Sequence, residues 1–115
     1  MATTMKALEA ASTQVGATDT TLYTVPGSTT TRIASLTLAN DSETTSCWVK
    51  VHKCKSGDGV GDDTILLPKT SIPPKCVINV IDHVGDQLME AAGFLSAIAE
   101  TAAQITVHIS GYEVS

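Results

Sequence analysis

The chain has 115 residues, of which 43% are hydrophobic, 3% aromatic and 17% charged, with a formal charge of -5. That balance is too apolar for a disordered chain, and no apolar run nears the ~20 residues of a membrane-spanning helix. The 7 Lys and Arg are few and scattered, which argues against nucleic acid or an anionic membrane as partner, and the length fits one domain.

Met1 to Lys6 contain no apolar h-region, so no signal peptide is expected. Residues 1–15 read as an N-terminal arm. Met5, Leu8 and Ala11 approximate helical spacing there, but so short and weakly apolar a segment is marginal as a helix in water. The arm is expected to order by docking, with the β-sandwich domain running over 16–115. Strand texture begins with Thr20 to Val25, closed by Pro26-Gly27. In Thr30 to Asn40, Ala34, Leu36 and Leu38 alternate with Ile33, Ser35 and Thr37. Cys47 to Lys53 alternates more sharply, with Cys47, Val49 and Val51 on one face and Trp48, Lys50 and His52 on the other. A Gly/Asp loop over 55–63 leads to a short strand, Thr64 to Leu67, that ends at Pro68. Cys76 to Ile81 is continuously apolar apart from Asn79, as in a strand buried on both faces. A turn at Gly85-Asp86 leads into Gln87 to Glu90, and Gly93 separates that from Phe94 to Ala99. The last strand, Gln104 to Tyr112, sets Ile105, Val107 and Ile109 against Thr106, His108 and Ser110. The Ala, Leu, Met and Glu between Gly85 and Ala103 also suit a helix, but Gly93 and the flanking β pattern favour strands. About eight short strands at this spacing predict an all-β chain, a two-sheet antiparallel β-sandwich with jelly-roll-like topology.

The residues offer little chemistry. Cys47, Cys54 and Cys76 cannot all pair within one chain, and they read as thiols packed like small hydrophobes, with one disulfide left open. No CxxC or HxxxH spacing points to zinc. The acidic loop Ser56 to Asp63 could offer oxygens to calcium, but its spacing is not that of an EF-hand, and Gly and Asp are the residues turns demand. No nucleophile elbow, metalloprotease helix or phosphate loop is present, so no catalytic residue and no cofactor is assigned and an enzyme is not expected. Trp48 is the informative aromatic: outward with Lys50 and His52 it is an interface anchor, inward it is core. Asp82-His83 at a strand end is a candidate pH-sensitive contact. The expected interface residues are Met5, Leu8, Trp48, Lys50, His52 and His83.

Gly16 to Pro26 running into Thr30 to Asn40, with Leu22-Tyr23-Thr24-Val25-Pro26 followed by Thr30-Thr31-Arg32-Ile33, resembles small virion structural proteins of tailed bacteriophages. The resemblance continues through Val84-Gly85-Asp86-Gln87-Leu88, Ser96 to Glu100, and Thr106-Val107-His108-Ile109-Ser110-Gly111-Tyr112-Glu113. It implies a phage particle and, first among its positions, a capsid decoration (cement) protein on the outer surface of the shell, made in the bacterial cytoplasm. The partners it implies are the major capsid protein and copies of the chain itself as a homotrimer, with no small-molecule substrate. The alternatives are a neck, tail or fibre component of the same fold, or a carbohydrate- or ion-binding module.

Overall fold

The computed structural model describes residues 3–8, 13–57, 59–81 and 87–114. Among them lie ten strands: β1 (Thr3–Ala7), β2 (Thr13–Val15), β3 (Thr20–Thr24), β4 (Thr30–Asn40), β5 (Cys47–Cys54), β6 (Ile65–Ile72), β7 (Val77–Asn79), β8 (Gln87–Met89), β9 (Phe94–Ala99) and β10 (Ile105–Val114). They form two antiparallel sheets. In sheet A, β10 pairs with β4 over nearly its whole length, β1 and β2 share the other flank of β10, and β7 and β8 share the other flank of β4. Sheet B has the order β3-β9-β5-β6. The ten strands thus fill eight positions, four per sheet, and successive positions alternate between sheets except at the β5–β6 hairpin of sheet B, as in a jelly roll.

Period-two alternation builds the core. Cys47, Val49 and Val51 of β5, Leu95, Ala97 and Ala99 of β9, and Ile105, Val107 and Ile109 of β10 all point between the sheets and are buried. In β4 the alternation changes phase. Thr31 and Ile33 point inward, and then so do Leu36, Leu38 and Asn40, because the register shifts at Ser110/Gly111 and leaves Ala34 unpaired. Gly111 makes the bulge feasible. A Cβ on it would overlap the Arg32 carbonyl oxygen and crowd Ile33 Cα at 3.2 Å.

Three sequence expectations change. The strand expected to stop at Pro68 continues through it to Ile72, because β6 is the sheet edge, where proline costs no ladder bond. The segment expected to be buried on both faces forms only the short edge strand β7, with Val77 60% exposed. It ends because Asn79 Oδ1 accepts the backbone N–H groups of Leu36 and Ile81 at 3.2 and 3.1 Å. In the segment expected as an arm, β1 and β2 dock on β10 of the same chain, and Leu8 and Val15 join the core.

Polar groups close one end of the sandwich. Asn40 is buried at the end of β4, and its Nδ2 donates to the carbonyls of Ile72 (2.9 Å) and Thr45 (3.0 Å). Its Oδ1 accepts from Ser42 N–H and Gln104 Nε2. Asn40 therefore ties sheet A to the edge of sheet B.

Replacing Gly111 with Ala is expected to lower unfolding free energy by about 3 kcal/mol or more, since backbone must move to admit the methyl group. Ser110→Ala, one residue away on the exposed face, should stay within about 0.5 kcal/mol. Urea titration of both variants checks this pair.

Candidate interaction site

The outer face of sheet B carries the aromatic feature of the surface. Because Val49 and Val51 fill the core, Trp48 and Lys50 stand outward, both half-buried. Register places Trp48 opposite Ser71 of β6, so Lys69, two residues along, lies diagonally on the same face. Its Nζ sits 4.1 Å from the Trp48 ring centroid, a cation–π contact. The Trp48 backbone is fixed on its other flank, where its carbonyl accepts the Glu100 N–H at 2.9 Å and its N–H donates to Glu100 Oε1 at 3.4 Å. Lys50 lies opposite the half-buried Ile98 of β9. The result is a rigid ledge of one indole and two ammonium groups on a sheet.

The other expected interface residues separate. His52 does occupy the outer face, opposite Ser96, yet it is only 2% exposed. The single 3-10 turn Asp62–Thr64 packs against β5, and Thr64 Oγ1 lies 2.9 Å from His52 Nδ1. The Thr64 hydroxyl donates to Gly61 O at 2.9 Å, so it accepts from His52 and sets the tautomer with the proton on Nδ1. His52 is therefore a structural residue under a loop, and the alternation rule missed it because a period of two assigns a face without saying what covers it. Leu8 is core, with its N–H donating to Ile109 O at 2.9 Å, and is removed from the interface set. Met5 is 72% exposed on β1. His83 lies outside the described residues.

Among the described residues no three His, Cys, Asp or Glu side chains converge as metal ligands. Cys47 and Cys54 are buried, and Cys76 is exposed. A groove of about 350 Å3 opens between the ends of β5 and β8, lined by Lys53, Cys54, Leu88, Met89 and Glu90. Lys53 Nζ donates to Gln87 Oε1 at 3.2 Å across it.

A second polar link between the sheets runs through Tyr23 of β3. Its hydroxyl donates to Glu113 Oε2 of β10 and lies 2.8 Å from Thr31 Oγ1 of β4. Burial, and then the hydrogen bond to the Glu113 carboxylate, push the Tyr23 phenol up to about 12. No family model, curated protein or solved structure matches the chain.

Sequence reasoning missed Lys69 because Pro68 concealed the rest of β6. It missed the Tyr23–Glu113 link because the partners are 90 residues apart. The parity of β10 was the available signal, since Ile105, Val107 and Ile109 facing inward put Glu113 on the inner side too.

Tyr23 predicts an alkaline stability loss. The neutral phenol is the form the folded state favours, so its contribution is complete below the unfolded pKa of 10.0 and disappears as pH rises through about 12. Denaturant titrations over that window should show stability falling with pH, and Tyr23→Phe should flatten the fall. Lys69→Ala should cost about 0.5 kcal/mol, with a change in Trp48 fluorescence that a Lys75→Ala control does not produce.

Proposed function

We propose that the chain is a non-enzymatic structural protein of a phage particle, a decoration protein that binds the outside of the head shell and stabilises it. The structural observation that carries this reading is the ledge of Trp48, Lys50 and Lys69. An aromatic ring flanked by cations on a pinned strand is a ready interface anchor. The resemblance of residues 16–113 to phage virion proteins supplies the identity of the partner, the major capsid protein. A shell offers many copies of one site, so modest contacts at each ledge add up through avidity once copies of the chain associate. Jelly rolls build viral capsid and lectin domains among other unrelated functions. A neck, tail or fibre position is the second reading, since the same resemblance covers it.

Quantitative mass spectrometry of purified particles separates the two. A copy number comparable with that of the shell subunit supports decoration, and a small multiple set by the tail axis supports the second reading. Trp48→Ala should abolish binding to undecorated shells while costing the isolated protein no more than about 2 kcal/mol. Unchanged shell binding by that variant overturns the ledge as the contact.

A further inference from the structure

Among the described residues, the outer face of sheet A carries most of the exposed large hydrophobic side chains. Met5, Val77 and Leu88 are 72%, 60% and 61% exposed, and the fourth such residue, Ile65, is on sheet B. Register puts the three on one face. Met5 lies opposite Tyr112, Tyr112 opposite Arg32, and Arg32 opposite Leu88, a single row across the sheet. A second row, toward the other end of β4, runs Gln14, Thr106, Ala39, Val77. Between them lie Ala7, Ser110, Ser35, His108 and Thr37. Among the described residues of these strands Arg32, near one end, carries the formal charge on this face. Asp41 follows the other end, where its carboxylate accepts the Thr106 hydroxyl at 2.6 Å and Lys75 lies nearby, its backbone N–H donating to the Ser42 carbonyl at 3.0 Å. Depletion of charge with retained aromatic and Arg side chains marks the core of an interface.

We propose that the occupant of this face is a second copy of the chain, related by a two-fold axis that lies between the facing A sheets of the two copies, perpendicular to the strands, and passes over the Leu36 position of β4. Two observations, independent of each other, select that axis. Leu88 pairs with Arg32 and Val77 with Ala39, so the two exposed apolar residues on this flank of β4 are centred between Ser35 and Leu36. Arg32 and Asp41 are centred between Leu36 and Thr37. A rotation about that point lays Leu88 of each copy over Val77 of the other, and the Arg32 end of each over the Asp41 end of the other. An axis parallel to the strands would instead set Arg32 over the Arg32 end and Asp41 over the Asp41 end, which like charges oppose. Isologous pairing makes every such contact twice. The size is suitable. Four strand positions span about 19 Å and ten residues about 34 Å, a projection of roughly 650 Å2 against the roughly 800 Å2 per partner of a standard interface.

The inference stands on this face alone, whether or not the chain belongs to a particle, and it departs from the trimer that the resemblance implies. Sedimentation equilibrium of the full chain is expected to show a dimer of the 11.9 kDa protein. Arg32→Asp and Asp41→Arg should each raise the dimer Kd about tenfold or more, because the reversed charge meets its like twice, and the R32D/D41R combination should restore association. Ser110→Glu, which brings two carboxylates near the axis, should leave a monomer whose melting temperature, extrapolated to low concentration, matches that of the parent. A monomer or trimer for the parent chain overturns the proposal. A dimer indifferent to Ser110→Glu, or one that the double reversal fails to rescue when both single reversals weaken it, overturns this face as its interface.

Discussion

The ladder between β4 and β10 is the constraint on which the rest of the structure depends. It is the longest pairing in the molecule, and every strand of sheet A is attached to one of its two members. Its bulge does more than bend the strands. By leaving Ala34 unpaired it lets a single strand present Thr31 and Ile33, then Leu36 and Leu38, to the same interior, although these pairs are out of phase in sequence. Without that phase change one of the two sets would face solvent. The tight approach of Gly111 to the Arg32 carbonyl shows that the bulge is fixed by steric fit.

That fit also marks where the sequence was legible. Strands with one strict alternation, β5 and β10, could be read directly, although in β5 the alternation separated two faces without saying which of them is core. Strand β4 could be located but not oriented throughout, because a bulge is a relation between two strands and leaves no period in either one. The turns after β8 and β9 were obscured for another reason. Ala92 and Ala103 take left-handed φ values of 65° and 61° there, a role that Gly or Asn would have advertised, so this stretch looked compatible with a helix. At the candidate site, parity put Trp48 and Lys50 on one face, and burial of Val49 and Val51 turns that face outward. His52 was placed on the right face, but Thr64 and the turn that bury it come from a loop with no periodic signal.

Two of the polar links between the sheets, Tyr23 at one end and Asn40 at the other, use different chemistry for one purpose. A core made mostly of Val, Ile, Leu and Ala resists sliding poorly, since such side chains pack without direction. Hydrogen bonds from Tyr23 to Glu113 and Thr31, and from Asn40 to Ile72 and Thr45, are directional and at least partly buried, and so specify one offset between the sheets. Every described buried side-chain polar atom is satisfied, so this specificity carries no stranded donor. A defined offset keeps the Trp48 ledge on one outer face and the sheet A surface on the other in a fixed relation.

The position of β1 and β2 against β10 has a kinetic consequence. The earliest strands in the chain take their hydrogen bonds from the last one, and β4 also waits for β10. During synthesis neither pairing can form until residues beyond 105 have left the ribosome, so sheet A closes late, through contacts between segments far apart in sequence. Folding by such non-local pairings falls in the range of milliseconds to seconds. Until then β1 and β2, with Leu8 and Val15 beside them, have no partner strand and β4 is paired only along its β7 and β8 flank, and that interval is when the nascent chain is most open to aggregation.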